Sequence, residues 1–163
     1  MPLLVHLAPE ARAAAIGRSG IRLGSRNGYN LRGVYCTQLP NFFVSHQWLR
    51  ELRRRGQRTF VAVDFRVPDD EPVLLGHYAK PHVEMSAVEA VRTIVRESDQ
   101  LGYEMVLRRA ISAREIHRIR HVPHVVGWRY YPGSHGHPPC TCPVCLQPGE
   151  YGVASIRRRL SES

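Results

Sequence analysis

The pattern of hydrophobic and polar residues predicts short strands and two helices in the first half of the chain. Leu3 to Leu7 is a mainly apolar run typical of a strand, and an alanine-rich helix of about ten residues follows, opened by Pro9 and ended by Gly20. A loop dense in Gly, Asn and Ser then leads to a second short strand, Gly33 to Thr37. Phe43 to Arg55 is predicted to be a helix with a strongly basic end.

Further along the chain, two β-rich segments and one helix are predicted. Arg58 to Val67 and Pro72 to Tyr78 are expected to be partner strands on either side of an acidic turn. Ser86 begins a helix, because Ser86 and Glu89 form a capping box, and this helix is predicted to end near Gly102. Its apolar stripe consists of Val88, Val91, Ile94 and Val95.

The pattern from Tyr103 onwards predicts the last elements and, with the others, the fold class. Strands are predicted at Tyr103 to Arg109 and at His124 to Tyr131, with a helical turn between them at Ser112 to Ile119. Strands outnumber helices and do not alternate regularly with them, which predicts an α+β fold with antiparallel sheets flanked by short helices. We expect residues 1–131 to form one domain and residues 132–163 a cysteine-rich, basic tail packed on it.

Charge and hydropathy narrow the class of partner. The formal net charge is +9, and it comes almost wholly from arginine because Lys80 is the one lysine. Arginine grips phosphate bidentately, whereas codon bias in a GC-rich genome would also replace lysine by arginine, and both explanations stay open. The net charge favours an acidic partner, nucleic acid first. No apolar run is long enough to span a membrane and no signal peptide is recognisable, so we expect a cytoplasmic protein without a membrane partner.

Three segments carry the candidate chemistry. The first is the strand containing His6, which feeds a helix. The second is the short strand containing Tyr35, and the third is the strand in which Glu104 lies near the start. Taken singly, a strand-end histidine, a strand tyrosine and a strand glutamate are common structural residues. Their joint order along the chain is the informative feature.

The order of these three motifs resembles that in the ADP-ribosyltransferase superfamily. Within it, the match is to the diphtheria-toxin-like and poly(ADP-ribose) polymerase branch, which has a His-Tyr-Glu triad. The family's hydrophobic-Trp-His-Gly strand is matched by Val5-His6-Leu7, and its Gly-Ile-Tyr-Phe-Ala segment by Gly33-Val-Tyr35-Cys-Thr37. Its Glu-Tyr-hydrophobic-Val strand is matched by Glu104-Met-Val-Leu. The resemblance consists of three short motifs in the correct order between residues 3 and 120.

The resemblance implies a fold of split antiparallel β-sheets and transfer of mono-ADP-ribose from NAD. The net charge favours nucleic acid or a nucleic-acid-associated protein as the acceptor. His6 would bind the NAD ribose, Tyr35 would stack on the nicotinamide, and Glu104 would polarise a ribose hydroxyl. Leu7 replaces the family's glycine and would hold the carboxamide through its backbone. Phe43 and Ser45 lie near the positions of the family's second stacking aromatic residue and its serine.

Other activities remain alternatives within this interpretation. Arginine-modifying toxins of the other branch carry a second glutamate where this chain has Gly102, so transfer to protein arginine is disfavoured. NAD glycohydrolysis, with water as the acceptor, would need the same site. Glu115 is an alternative catalytic glutamate, although its capping box with Ser112 explains it structurally. An inhibitor or antitoxin partner cannot be identified from the sequence.

The tail contains a candidate structural zinc site. Three cysteines fall within one tight turn, Cys140, Cys142 and Cys145. Three sulfurs so close together cannot all form good disulfides, and zinc takes four sulfur or imidazole ligands, so His137 is the preferred fourth ligand ahead of His135. Cys36 would be a ligand only if the tail folded back, and unliganded thiols are the alternative. A non-enzymatic, zinc-dependent nucleic-acid-binding module is the competing function class, using the basic end of the tail.

Overall fold

The computed structural model describes residues 1–24, 31–38, 59–77, 80–97 and 102–121, together with the single positions 52, 154, 158 and 161. This part of the chain has an α+β fold with two antiparallel sheets and a few short helices, as the sequence predicts. Its strands are β1 (Leu3–Pro9), β2 (Val34–Cys36), β3 (Phe60–Arg66), β4 (Pro72–His77), β5 (Lys80–Ser86), β6 (Tyr103–Leu107) and β7 (Ile116–His121).

Two α-helices and two 3₁₀ turns accompany the strands. The helices are α1 (Ala13–Ser19) and α2 (Ala87–Arg96), and the 3₁₀ turns are Glu10–Arg12 and Ala113–Glu115. Gly20 ends α1, as predicted, with a φ of +81° that side chains rarely adopt. Within these described residues, no helix has the length and hydrophobicity needed to cross a bilayer.

The strands divide between a three-stranded sheet, in the order β1-β3-β7, and a four-stranded sheet, in the order β2-β6-β4-β5. The central strand β3 is buried at every position except Arg66, because its apolar run is covered on both faces. The hydrophobic core contains side chains from both sheets and both helices. Its largest fully buried members include Leu4, Ile94, Phe65, Met105, Leu107 and Ile111.

Helix α2 begins as predicted and ends earlier. The Ser86 hydroxyl accepts a hydrogen bond from the Glu89 backbone N–H, and the Glu89 carboxylate accepts one from the Ser86 N–H, which completes the capping box. The buried face consists of Ala87, Ala90 and Ile94. The predicted stripe is therefore wrong at Val95, which is 51 % exposed, and the helix ends at Arg96 rather than near Gly102.

Two other predictions about the elements are wrong, and one strand was missed. Strand β4 pairs with β5 and β6, not with β3, so the expected hairpin between the two β-rich segments does not exist. Strand β5 was not predicted at all, because its sequence KPHVEMS is largely polar. The helical turn expected at Ser112 to Ile119 stops after Glu115, and β7 begins at Ile116. Three predicted segments lie outside the described ranges, apart from the single positions named above: the helix Phe43 to Arg55, the strand His124 to Tyr131 and the tail domain.

Candidate functional site at the junction of the two sheets

The two sheets meet at the end of β2. The ladder between β2 and β6 ends with Cys36 opposite Met105. The next residue, Thr37, instead exchanges two backbone hydrogen bonds with Val5 of β1, at N···O distances of 2.8 and 3.0 Å. One segment thus pairs first with the four-stranded sheet and then with the three-stranded sheet. We call the surroundings of this Thr37–Val5 bridge the sheet junction.

His6 follows Val5 and contacts β2 at the sheet junction. Its Nδ1 lies 2.7 Å from the carbonyl oxygen of Tyr35. Because a carbonyl oxygen only accepts hydrogen bonds, Nδ1 carries the hydrogen and donates it. Burial lowers the pKa of His6, and the hydrogen bond to Tyr35 opposes this only in part. The imidazole is therefore neutral at pH 7, and its Nε2 presents a lone pair that can accept a hydrogen bond.

Tyr35 is held by its backbone and by its hydroxyl. In the β2–β6 ladder it lies opposite Val106, and its hydroxyl donates to the carbonyl oxygen of Leu31 at 3.0 Å. The side chain is half-buried. An aromatic ring fixed at both ends in this way can offer one stable face to a flat ligand.

Glu104 lies on the same sheet face as Tyr35. It precedes Val106 by two residues on β6, and alternate residues of a strand point to the same face. A diagonal pair of this kind on neighbouring strands is separated by roughly 7–8 Å between Cα atoms. The Glu104 carboxylate is also close enough to Cys36 on β2 to raise the pKa of that thiol. The structure thus joins His6 to Tyr35 directly and places Tyr35 and Glu104 on one face of neighbouring strands.

A residue that the sequence analysis missed also contacts Glu104. Nε2 of His82, on the edge strand β5, lies 3.0 Å from Oε1 of Glu104. The contact crosses the intervening strand β4 at Gly76, which lies opposite Glu104. A glycine inside a strand marks a close approach of another group, so Gly76 was the available signal.

Glu115, the alternative catalytic glutamate, is accounted for by structural contacts. Its carboxylate accepts two hydrogen bonds from Arg109, at 2.6 and 3.0 Å, and caps the backbone N–H of Ser112. The hydrogen bonds with Arg109 are the main cause of a lowered pKa at Glu115. The guanidinium of Arg109 also binds both carboxylate oxygens of Glu71, so Glu115 belongs to an ion-pair network that fastens the start of β7.

Cys36 is a core residue. Its Sγ donates to the carbonyl oxygen of Met105 at 3.5 Å, and burial raises its pKa, with a further contribution from the charge of Glu104. Cys36 belongs to the hydrophobic core cluster, so packing accounts for its burial. Across the described ranges, no group of three or more His, Cys, Asp or Glu side chains is placed to hold a metal ion.

Several predicted site residues lie outside the described residues. These are Phe43 and Ser45 near the expected NAD site, and the expected zinc ligands Cys140, Cys142, Cys145 and His137. Leu7 is described: it is half-buried on β1 and lies opposite Ala62 of β3. Its expected backbone contact with a carboxamide stays a prediction.

Comparisons with known proteins add no family assignment. No family model matches the chain, and searches of curated proteins and of solved structures find no significant match. A functional assignment therefore depends on the residues at the sheet junction: the neutral His6 bonded to the Tyr35 backbone, the anchored ring of Tyr35, and the carboxylate of Glu104 on the same face.

Proposed function

We propose that the protein is an NAD-dependent mono-ADP-ribosyltransferase with His6, Tyr35 and Glu104 as its site. The main support is that His6 and Tyr35, which are far apart in the sequence, are in contact, and that Glu104 shares a sheet face with Tyr35. The 2.7 Å contact between His6 Nδ1 and the Tyr35 carbonyl joins the first two directly. The β2–β6 register then relates Tyr35 to Glu104 on one face.

The proposed reaction breaks the bond between nicotinamide and ribose. The bonding electron pair leaves with nicotinamide, and positive charge develops on the ribose. The Glu104 carboxylate stabilises this charge and polarises a ribose hydroxyl, which is the kind of electrostatic contribution that acts mainly in the transition state. A nucleophile of the acceptor then attacks the anomeric carbon and loses its proton, which completes the transfer of ADP-ribose.

The other two residues orient the substrate. Because Nδ1 of His6 donates to the Tyr35 carbonyl, Nε2 of the neutral ring can accept a hydrogen bond from a ribose hydroxyl. The Tyr35 ring, anchored through its hydroxyl to Leu31, supplies a flat surface for the nicotinamide. Fixing both the sugar and the departing ring lowers the entropic part of the barrier.

The charge of the chain bears on the acceptor. A net charge of +9 attracts polyanions and raises their rate of encounter. Arginine dominates this charge, and its planar guanidinium suits phosphate groups. We propose nucleic acid, or a protein bound to nucleic acid, as the acceptor.

The test is nicotinamide release by purified protein mixed with NAD and a nucleic-acid acceptor. We expect Glu104→Gln to retain the fold and to lower turnover by a factor on the order of 10²–10³, because one charge-stabilising group is lost. Glu84→Gln is the matched control, since Glu84 is exposed on β5 and pairs with the exposed Arg108. Equal turnover in wild type and Glu104→Gln would contradict the proposal.

A further inference from the structure

His82 and Glu104 form a contact that spans three strands. His82 lies on β5 and Glu104 on β6, and β4 separates them in the sheet. Even so, Nε2 of His82 is 3.0 Å from Oε1 of Glu104, and the two side chains are only 10 % and 15 % exposed. Both groups are thus largely shielded from water. A polar contact is stronger in this environment than at the surface.

Gly76 makes this contact sterically possible. It lies on β4 directly opposite Glu104, and a Cβ atom at position 76 would overlap the imidazole ring of His82. The ring therefore occupies the space above the glycine backbone. Gly76 does not have a positive φ, so the absent side chain, not an unusual backbone conformation, is the feature that matters here.

The direction of the hydrogen bond follows from the chemistry of the two groups. An ionised carboxylate can only accept, so Nε2 of His82 carries the hydrogen and donates it to Oε1. Among the residues that the structure describes, the other oxygen of Glu104, Oε2, has no hydrogen-bond partner. His82 thus fixes one oxygen of Glu104, and no described residue binds the other.

We propose that His82 is a positioning residue for Glu104, which holds Oε1 and thereby directs Oε2 towards the ribose hydroxyl of NAD. This inference rests on the proposed function. His82 touches no substrate and acts only through Glu104. Because an oriented carboxylate matters most when charge develops, removal of His82 should lower kcat and change KM for NAD little.

The first test compares two substitutions of His82. His82→Leu removes the donor, and we expect kcat to fall about 10- to 100-fold, the range for losing one hydrogen bond to a charged group. His82→Gln supplies an amide N–H donor and should restore most of this loss. A merely structural role would give no such rescue at equal thermal stability. His117→Leu is the control, because His117 is exposed on β7 of the other sheet.

The second test moves His82 without replacing it. Gly76→Ala should push the flexible imidazole away from Glu104 and lower kcat about as much as His82→Leu does. In a His82→Ala background no ring remains to be displaced, so Gly76→Ala should add less than a further twofold loss. This double-mutant cycle decides the inference even if His82→Leu does not fold.

The outcomes separate this inference from the proposed function. Wild-type turnover of NAD together with unchanged kcat in His82→Leu and Gly76→Ala would overturn the role of His82 and leave the proposed function standing. If Gly76→Ala lowered kcat by the same factor with and without the His82 ring, the role of His82 would likewise be overturned and the proposed function would stand. Absence of turnover in the wild type would overturn the proposed function, and the role of His82 with it.

Discussion

Substitution of Arg109 by methionine should destabilise the protein, because Arg109 joins two carboxylates from separate parts of the chain. Its Nε and Nη2 donate to Glu71 just before β4, both at 2.8 Å. Its Nη1 and Nη2 also donate to Glu115 in the 3₁₀ turn before β7, at 3.0 and 2.6 Å. Methionine keeps the unbranched stem and removes these four hydrogen bonds, together with the one from Nη1 to the Ala110 carbonyl, which leaves two carboxylates without their shared cation.

The expected magnitude follows from the burial of the three groups. Hydrogen bonds to charged groups contribute about 1.5–3 kcal/mol each when they are shielded from water. The Glu71 and Glu115 side chains are 11 % and 25 % exposed, but Arg109 is 39 % exposed, so solvent screens much of this contribution. We therefore expect a loss of about 2 kcal/mol in the free energy of unfolding. For a chain of this length that corresponds to a decrease in Tm of roughly 4–8 °C.

The assay measures the free energy of unfolding and the Tm of Arg109→Met by urea and thermal unfolding, with Arg108→Met as the control variant. Arg108 is the adjacent residue, and its one ion pair, with Glu84, joins side chains that are 65 % and 58 % exposed. Exposed pairs contribute little, so Arg108→Met should stay within about 0.5 kcal/mol of the wild type. Equal losses in the two variants would refute the conclusion that the Arg109 network fastens β7 to the sheet that carries Glu104.

Two further predictions concern acid stability and the tail. Since burial lowers the pKa of His6 below its ordinary 6.5, the unfolded chain binds a proton there that the folded chain does not, so the free energy of unfolding should fall as pH decreases through 6.5. His6→Asn should flatten that slope in urea titrations, and an identical slope would contradict the assignment. The tail should bind one zinc per chain through Cys140, Cys142, Cys145 and His137, measured by elemental analysis of protein purified without chelator. Absence of stoichiometric zinc would refute this site.

The sequence predicts elements best where local pattern and burial agree. β3 and β6 are apolar runs that are almost wholly buried, and β1 is buried at Leu4, Val5 and Ala8. Both capping boxes form where the Ser-x-x-Glu spacing places them. Strands β5 and β7 could not be recognised, because polar side chains occupy many of their positions. In β7, Arg118 and Arg120 are accommodated by ion pairs with the buried Asp64 of β3, a long-range contact that no local pattern reveals.

In the candidate site, too, the residues that the sequence could indicate differ from those that only the structure reveals. Motif order selected His6, Tyr35 and Glu104, and the structure shows the contact between the first two. The contact of His82 with Glu104 depends on the register of three strands and on the space above Gly76, so it could be found only in three dimensions. Strand pairing is set by interactions between distant segments, which also explains why β4 was assigned the wrong partner.

The most direct test of the central claim is a crystal structure with an NAD analogue in which a methylene group replaces the ring oxygen next to the nicotinamide, so that the bond cannot break. We predict that the nicotinamide stacks on Tyr35 and that ribose hydroxyls lie within about 3.2 Å of His6 Nε2 and Glu104 Oε2. Binding of the analogue away from the sheet junction, with none of these three side chains in contact, would contradict the account.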